Sequence, residues 1–305
     1  MDVVIVNWNA GILLKECIDS IIRHKNSNIG SVIVVDNAST DSSMSLLPKD
    51  KNYIKLVYEE VNNGFGKACN IGARQTSSEY ILFLNPDTVI NESSINGAID
   101  LMTKESSSNI GICGVQLKDD NGISASCSRF PSITNITCSS FGLSKLLPRL
   151  GAPMNDFSHE VTKEVDQVMG AFFFIRSDLF KRCHGFDERF FVYYEEVDLS
   201  KRVNDLGYKS VFLAEFSAYH LGGGVSQQVK AKRLFYSLRS KSLYAKKHFS
   251  YLNYLFICLL IYSIELISRI VFSLLRLDFR AVFETLSAYK MLLMWSFKTI
   301  IRLDK

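Results

Sequence analysis

The chain has 305 residues, of which 47% are hydrophobic and 22% are charged, and its formal net charge at pH 7 is +4. That is enough apolar sequence for a large core and for more than one domain. Its seven cysteines are scattered and form no Cys-x-x-Cys pair, which argues against a disulfide framework or a zinc site and fits a reducing compartment. The opening residues, MDVVIVNWN, are too short an apolar run for a signal peptide and indicate a strand that starts the fold.

The first part of the chain alternates strand and helix patterns. Apolar runs predict strands at 3–7, 31–37, 55–60 and 80–84, and helical spacing predicts helices over 13–22, 64–76 and 93–104. Near-continuous Val and Ile runs are typical of strands that are buried on both faces. We therefore predict a doubly wound, mostly parallel α/β sheet, which binds ligands at the carboxyl ends of its strands.

The sequence is less regular from residue 111 onward. It predicts a hairpin around 120–122, a loose or mobile segment over 131–164, strands at 171–176 and 210–216, and helices over 177–182 and about 195–206.

Polar residues follow each of the first four predicted strands. They are Asn7 and Asn9, then Asp36 and Asn37, then Asn62, Asn63 and Gly64, and finally Asn85 and Asp87. Any one of them is explained as a turn former or a helix cap. Because four strand ends carry acidic or amide groups toward one edge of the sheet, together they predict a binding site there.

The glycine-rich stretch NNGFGKACNIG, residues 62–72, fits neither a dinucleotide-binding pattern nor a P-loop. Its glycines, including Gly66, would let the backbone approach a ligand closely. Lys67 and Arg74 are available for a phosphate, and we assign Asn70 to the same ligand site.

Three acids, Glu195, Glu196 and Asp198, crowd the start of a predicted helix behind an aromatic run. A purely structural explanation is helix-dipole complementarity together with an Asp198–Arg202 pair. Aromatic surface and mutual repulsion also raise carboxylate pKa values, which would suit a general base toward a hydroxyl group.

Seven segments, in this order, resemble the inverting family-2 glycosyltransferases of the A-type fold, in particular the bacterial rhamnosyltransferases of surface polysaccharide synthesis. They are VVIVNWN, VVDNASTDSS, NNGFGKACNIG, LFLNPDT, GAFFFIRSDLF, GFDERFFVYYEEVDLSKR and YHLGGGVS, within about residues 3–226.

The resemblance implies roles on the donor side of the site. Asp36 would contact the nucleotide base, and Asn85-Pro86-Asp87 stands at the family's Asp-x-Asp metal motif. Asp87 would bind Mg²⁺ or Mn²⁺ on the donor diphosphate, Asn85 would hydrogen-bond the ribose, and His220 matches the family's late metal-binding histidine.

The resemblance also places the family's Glu-Asp motif on Glu195-Glu196. Glu196 would then be the catalytic base that takes the proton from the acceptor hydroxyl, and Asp198 remains the alternative. A single in-line displacement inverts the configuration of the sugar.

The carboxyl-terminal part differs in charge from the rest. Residues 226–305 carry 14 Lys and Arg against 4 Asp and Glu, a balance of +10, and the remainder has a balance of −6. A basic lead-in over 226–248 precedes apolar segments at 251–277 and 281–303, which fits helices lying in a membrane interface. The alternative is an amphipathic helix pair packed on the catalytic domain or on a second copy; a nucleic-acid partner is not indicated.

We therefore expect a catalytic domain over 1–225, with a nucleotide-binding half at 1–110 and an acceptor half at 111–225, and a helical tail over 226–305. The resemblance favours transfer of L-rhamnose from dTDP-rhamnose to a lipid-linked glycan, as in O-antigen synthesis, peripherally at the cytoplasmic face of the bacterial inner membrane. The alternatives are another UDP- or GDP-sugar donor, a nucleotidyltransferase, or a non-catalytic, membrane-attached sugar-binding protein.

Overall fold

The computed structural model describes residues 1–48, 51–222 and 230–303, with side chains up to residue 299. The chain divides into a larger unit, Met1–Phe130, Pro153–Phe191 and Glu195–Val225, and a smaller unit, Pro131–Ala152, Val192–Tyr194 and Ser226–Lys305. The predicted domain boundary at 225/226, and residues 223–226 of the last predicted motif, lie outside the described residues.

The helices, in chain order, are α1 (Ile12–Arg23), α2 (Phe65–Ala73), α3 (Glu92–Thr103), α4 (Ile133–Ser140), α5 (Ser177–Arg182), α6 (Glu195–Asp205), α7 (Lys230–His248), α8 (Tyr251–Leu260), α9 (Leu266–Leu275) and α10 (Phe279–Leu303). The strands are β1 (Asp2–Asn7), β2 (Val32–Asp36), β3 (Ile54–Tyr58), β4 (Tyr80–Leu84), β5 (Thr88–Val89), β6 (Ile110–Asp119), β7 (Gly122–Ser124), β8 (Cys127–Ser128), β9 (Lys163–Val165), β10 (Gln167–Val168), β11 (Phe172–Arg176) and β12 (Lys209–His220).

The four strands predicted from apolar runs at the start of the chain are confirmed. They form a parallel sheet in the order β3-β2-β1-β4. Every residue of β1, β2 and β4 is buried because helices cover both faces of the sheet. Val3 and Ile5 join the core under α1 and α3, and Val4 and Val6 join the core under α2, α5 and α6, as the alternation of side chains along a strand requires.

The prediction of a mostly parallel sheet is wrong for the second half of the larger unit, where the sheet is mixed. Beyond β4 the order continues β11-β6-β12-β5. β11 is antiparallel to both β4 and β6, and β12 is parallel to β6 but antiparallel to β5 and β9. An apolar run buried on both faces looks the same in either direction, so the sequence pattern could not reveal the reversal.

Two further sequence predictions need comment. The hairpin around 120–122 is confirmed, since β6 and β7 pair there, with Asp119 opposite Gly122. The segment 131–164 is not uniformly loose, because it contains α4, whose first turn is capped reciprocally by Ser132 and Asn135.

The smaller unit is helical and has its own core. Residues of α4, α7, α8, α10 and the turn after α8 pack together in it: Ile136, Leu238, Ala245, Ile257, Ile261, Tyr289 and Leu292. One turn of π-helix, Ile261–Glu265, joins α8 to α9. Among the described helices, the continuous stretch Tyr251–Leu275 is long and apolar enough to cross a membrane. Its most apolar 18 residues have a mean hydropathy of 2.2, and 22% of them are buried.

Candidate active site

The end of β2 presents a carboxylate that is fixed by the neighbouring strand. Asn7 and Asp36 are register partners at the ends of β1 and β2, and the Asn7 side-chain nitrogen donates to Asp36 Oδ1 at 3.0 Å and to Ser43 Oγ at 2.8 Å. Because Asn7 is fully buried, the structure places it behind Asp36 as a positioning residue, not in the open site.

A cavity of about 400 Å³ opens beside Asp36. Its walls are the loop after β2 and the outer strand β3, including Ser39, Asp41, Leu56 and Tyr58. This volume lies within the usual range for a small-molecule pocket, about 300–1,000 Å³. A planar ring could pack there against Tyr58 while its polar edge meets Asp36.

Asn9 shapes the loop that borders this cavity. It lies in the left-handed region with φ 53°, and its Oδ1 accepts from the backbone N–H groups of Thr40 at 2.7 Å and Asp41 at 3.2 Å. Asp41 in turn accepts from the Gly11 N–H at 2.9 Å. Asn9 therefore holds the loop and has its acceptor oxygen already engaged.

Asn37 connects the end of β2 to the loop before α2. Its Oδ1 accepts from the Asn63 N–H at 2.8 Å, and its side-chain nitrogen donates to Asn62 Oδ1 at 3.0 Å and to the Gly64 carbonyl at 3.2 Å. Asn63 also donates to Glu59 at 2.8 Å. These bonds make Asn37, one of the polar residues that the sequence placed at the strand ends, the main support of this loop.

The three predicted ligand contacts on α2 have different surroundings. Asn70 is buried and exchanges hydrogen bonds with the backbone of Phe186, at 2.8 and 2.9 Å, so it is a structural clamp. A Cβ atom added to Gly66 would lie 3.4 Å from Glu195 Cβ, so Gly66 lets α2 pass close to the start of α6. Lys67 is half-buried, and no carboxylate among the described residues pairs with it.

Asp87 and His220 are brought together although 133 positions separate them. The pairing of β12 with β5 sets His220 opposite Thr88, and His220 Nε2 lies 3.3 Å from Asp87 Oδ1, with both side chains little exposed. His220 is the last residue of β12; the prediction that it follows the strand is wrong because a register irregularity between Leu213 and Ser217 lets the strand continue.

The Asp87–His220 pair could hold a hard divalent cation together with a ligand. It offers one carboxylate oxygen and one imidazole nitrogen, and the described residues contain no cluster of three or more metal-binding side chains. Such a partial set fits Mg²⁺ or Mn²⁺, which are commonly bound through one or two carboxylates plus substrate phosphates and water.

Glu195 and Glu196 begin α6 directly after two left-handed residues, Tyr193 at φ 69° and Tyr194 at φ 71°. Burial raises the pKa of Glu195 well above its usual value, and repulsion from Glu196 adds to the rise. Burial also raises the pKa of Glu196. The Oε2 atom of each is buried and has no hydrogen-bond partner among the described residues, so each side chain retains an unused acceptor.

Asp198 has a structural role in this arrangement. Its side chain is fully buried and is paired with Arg202, whose guanidinium lies 2.8 Å from Asp198 Oδ2. Arg202 also donates to the carbonyl of Gly185 at 2.9 Å and to that of Cys183. The pair thus ties α6 to the preceding turn, and Asp198 could not meet a substrate without breaking it.

A short backbone segment, Gly170–Ala171, has neighbours both at the end of β4 and at the start of α6. The Ala171 carbonyl accepts from the Asn85 N–H at 3.1 Å. A Cβ atom added to Gly170 would lie 4.0 Å from Glu196 Cγ. The segment from Asn85 to Asp87 and the side chain of Glu196 therefore flank the same two residues. The sequence analysis did not single out this small Gly-Ala pair, which directly precedes the apolar run of β11.

Comparison with known proteins identifies the family of the amino-terminal part of the chain. Residues 2–150 match the sequence profile described as "Glycosyl transferase family 2". The chain carries a family-2 glycosyltransferase domain. The resemblance drawn from the ordered motifs is thus confirmed at the level of the family, whereas Glu196 and His220 lie beyond the matched residues of this domain.

Curated relatives match at low identity. The N-acetylglucosaminyl-diphospho-decaprenol L-rhamnosyltransferase of Mycobacterium tuberculosis is 25% identical over 210 residues, which cover 62% of this chain and 66% of the relative. The rhamnosyltransferase WbbL of Escherichia coli is 26% identical over 190 residues, covering 59% of this chain and 69% of WbbL. The match thus spans slightly less than two thirds of the mycobacterial protein.

Solved structures share the fold of the family-2 domain. The mannosyltransferase PcManGT from Pyrobaculum calidifontis, solved with GDP-Man and Mn²⁺, superposes with a TM-score of 0.55 at 14% identity, covering 94% of this chain and 73% of that chain. TarS 1-349 of S. aureus superposes with a TM-score of 0.53 at 14% identity, covering 95% of this chain and 91% of that chain. The predicted A-type fold is confirmed in the form of a mixed α/β sheet.

Proposed function

We propose that the protein is an inverting, metal-dependent glycosyltransferase that moves a sugar from a nucleoside diphosphate to a hydroxyl group. One observation carries this proposal: Asn85–Asp87 and Glu196 flank the same Gly170–Ala171 backbone. A donor diphosphate at Asp87 and an acceptor hydroxyl at Glu196 could then both reach one sugar ring. The catalytic part would be residues 1–225, with the donor bound by 1–110.

Glu196 is the group we assign as the general base. It is partly exposed, whereas Glu195 is only 4% exposed and Asp198 is held by Arg202. Its raised pKa increases its affinity for a proton at the pH where it acts. The acceptor oxygen would form a bond to the anomeric carbon, the bond from that carbon to the diphosphate would break, and Glu196 would receive the hydroxyl proton.

The donor would be held at the strand-end edge. Asp36 and the cavity beside it would take the nucleotide base, Asn85 the ribose, and Lys67 a phosphate. Asn7, Asn9, Asn63, Gly66 and Asn70 would shape the walls. Asp87 and His220 would hold Mg²⁺ or Mn²⁺, and that ion, when bound, neutralises charge that builds on the leaving diphosphate.

The names of the relatives favour one substrate class. Two of them are rhamnosyltransferases, and the mycobacterial name specifies an acceptor on diphospho-decaprenol. We therefore propose L-rhamnose from dTDP-rhamnose as the donor and a lipid-linked glycan of surface polysaccharide synthesis, such as O-antigen, as the acceptor. Another UDP- or GDP-sugar is the alternative.

A peripheral location at the cytoplasmic face of the inner membrane fits the smaller unit better than a membrane span. Glu265 lies in the middle of the apolar stretch Tyr251–Leu275, yet it is buried against Lys241, at 2.8 Å, and Arg269, at 2.9 Å. Burial alone would raise the pKa of Glu265, but these two cations lower it, so the carboxylate stays charged. A spanning helix would have to bring Lys241 of α7 into the hydrocarbon as well, at high cost.

The decisive experiment is an assay of the full chain with a panel of nucleotide sugars, Mg²⁺ or Mn²⁺, and a lipid-linked acceptor. We expect metal-dependent release of a nucleoside diphosphate and an inverted glycosidic product. Release of inorganic diphosphate would instead indicate a nucleotidyltransferase. No turnover with any donor, together with retained sugar binding, would favour a non-catalytic binding protein.

A further inference from the structure

The smaller unit contains a second cavity, of about 330 Å³, that the proposed reaction does not use. It is bordered by the segment after α4, the first turn of α7, α9 and the start of α10. Charged side chains supply much of its lining, namely Lys145, Lys230, Arg269, Arg276, Glu265, Asp278 and Glu284.

The acids of this cavity are already engaged. Glu265 is paired with Lys241 and Arg269, and Glu284 with Arg280 at 3.1 Å. Asp278 Oδ1 accepts from the Ala281 N–H at 3.0 Å and so caps α10. Each of these carboxylates therefore has a partner inside the unit.

The remaining cations of the cavity have no such partner among the described residues. Within the described part of the chain, no carboxylate lies within ion-pair distance of Lys145, Lys230 or Arg276. Lys145 Nζ lies 4.9 Å from the centre of the Phe272 ring, which supplies only a cation–π contact. The cavity thus has an excess of positive charge and donors that point to an anionic ligand.

The wall that carries Lys145 is fixed firmly to α9. Ser268 Oγ donates to the Ser140 carbonyl at 2.6 Å. Gly142, at φ 76°, approaches Phe272 so closely that an added Cβ atom would lie 2.6 Å from the ring. The cations of this wall are therefore presented by a packed scaffold, which lowers the entropy lost when a ligand is bound.

Apolar side chains alternate with the cavity residues at its rim. Arg276 and Asp278 line the cavity, whereas their neighbours Leu275, Leu277 and Phe279 are 75%, 76% and 60% exposed. Large apolar side chains so exposed, close together in the link from α9 to α10, are unfavourable in water and mark an interaction surface. A ligand with a phosphate next to hydrocarbon, as at a bilayer surface, would satisfy the cations and the apolar rim together.

We propose that this cavity binds the phosphate or diphosphate monoester headgroup of a membrane lipid while Leu275, Leu277 and Phe279 enter the bilayer. The inference rests on the proposed membrane location but not on the transfer reaction. A monoester suits the site better than a diester headgroup, because it carries a charge of about −1.5 to −2 at pH 7, which matches the unpaired cations Lys145, Lys230 and Arg276.

The test is flotation of the full chain with phosphatidylcholine vesicles that contain a few mole per cent of phosphatidic acid, a monoester, or of phosphatidylglycerol, a diester. At this low anion content and at physiological salt, general attraction to the surface is weak. We expect the native chain to bind phosphatidic acid vesicles about tenfold more tightly than phosphatidylglycerol vesicles. The double variant K145Q/R276Q should bind phosphatidic acid vesicles about tenfold or more weakly than the native chain does.

The matched control is R149Q/K290Q, which removes the same charge from exposed positions of the same unit outside the cavity and should change binding by less than about twofold. Equal losses in the two double variants, or equal binding of the two lipids, would overturn the proposal. Titration with inorganic pyrophosphate separates lipid from soluble phosphate: cavity-dependent binding of pyrophosphate, without cavity-dependent vesicle binding, would also overturn it.

The E196Q variant distinguishes this inference from the proposed function. It should bind phosphatidic acid vesicles as the native chain does, even though we expect it to be inactive. If the native chain is an active transferase but K145Q/R276Q leaves vesicle binding unchanged, only the lipid site is refuted. If K145Q/R276Q weakens vesicle binding but the native chain has no transferase activity, only the proposed function is refuted.

Discussion

At the scale of single residues, the adjacent glutamates Glu195 and Glu196 at the start of α6 have different chemical surroundings. Glu195 is buried close to Gly66 of α2, whereas Glu196 is partly exposed and lies near Gly170. Burial removes water from both carboxylates and raises both pKa values. Of the two, only Glu196 is partly exposed, so it is the one that we assign as the base.

The Glu196→Gln variant should lose sugar transfer by about 100- to 10,000-fold, which is the usual contribution of a positioned general base. Donor affinity should change little, because the amide keeps the shape of the side chain. Initial rates of nucleoside diphosphate release and calorimetric titration with the donor check the two effects. A variant with near-native rates would show that another group accepts the proton.

The Asp198→Asn variant should affect stability more than chemistry. It removes the charge that pairs with Arg202, and Arg202 is itself partly exposed, so we expect a loss of about 1–3 kcal/mol in the free energy of unfolding. Urea denaturation measures this loss. Rates of sugar transfer should be compared at urea concentrations below the unfolding transition. If Asp198→Asn were inactive but fully stable, the base would have to be reassigned to Asp198.

The metal-binding pair can be tested separately from the base. Asp87→Asn should weaken Mn²⁺-dependent binding of a nucleoside diphosphate by about tenfold or more, since a charged ligand is replaced by a neutral one. Binding of the nucleoside, which lacks phosphates, should be unaffected and serves as the control. Calorimetry with and without Mn²⁺ gives both values; equal weakening of the two ligands would indicate a folding defect instead.

The buried glutamates also predict opposite pH trends for stability and activity. Their folded-state pKa values lie above the ordinary value of 4.5, so the folded chain binds more protons than the unfolded chain as pH rises from 4.5 to the raised values. Stability should therefore fall across that window. Transfer should increase with pH through the raised pKa of Glu196, because the base must be deprotonated.

Melting temperatures over this pH range test the stability trend. In Glu195→Gln the melting temperature should decrease less with rising pH than in the native chain, because the substitution removes the more strongly buried carboxyl. A decrease of the same size in native and variant chains would mean that other groups cause it.

At the scale of elements, the loop between β3 and α2 depends on a close backbone approach. Gly64 is at φ 82°, an added Cβ atom would overlap the Phe191 carbonyl, and that carbonyl accepts from the Phe65 N–H at 2.6 Å. The loop also receives the hydrogen bonds from Asn37. One loop thus joins the end of β2, the start of α2 and the chain just before the glutamates.

The Gly64→Ala variant should lower the free energy of unfolding by more than about 2 kcal/mol, because a steric overlap adds to the cost of a positive φ. The matched control is Gly122→Ala, at φ 111° in the β6–β7 turn with no atom within 4 Å, where only the backbone cost of about 1 kcal/mol applies. Equal losses in urea denaturation would contradict the role of the Phe191 contact.

The elements also explain how far the sequence could predict the site. Apolar runs identified β1, β2 and β4 because burial on both faces leaves a clear pattern. The edge strand β3 was also identified, although its residues are half-buried or exposed. The direction of β11 depends on how its connections pack, which apolar content does not record. Asn7 and Asn70 were predicted to contact the donor, but their hydrogen-bond partners, Asp36 and Phe186, come from distant segments. Neither a place at the end of β1 nor a place in the glycine-rich stretch separates a ligand contact from its support.

At the scale of the whole molecule, charge and exposed apolar surface are both concentrated in the carboxyl-terminal sequence. Residues 226–305 have a balance of +10, and many of the large exposed apolar side chains lie between Tyr251 and Phe297. Electrostatic attraction to anionic lipid is screened by salt, since the Debye length falls from about 10 Å at 0.1 M to about 3 Å at 1 M. Insertion of apolar side chains is not screened, so the two contributions can be separated.

Vesicles rich in phosphatidylglycerol should therefore bind the full chain strongly at low salt and retain a weaker, salt-resistant component at about 1 M salt. Leu252 and Leu259 are 76% and 64% exposed on α8, and each change to Asn should reduce the salt-resistant component by about tenfold, because a buried leucine contributes about 1.5–3 kcal/mol. Leu206→Asn, at an exposed leucine of the larger unit, is the control and should leave it unchanged. Complete release by salt would leave only electrostatic attraction and would argue that the apolar face is covered by protein, such as a second copy of the chain.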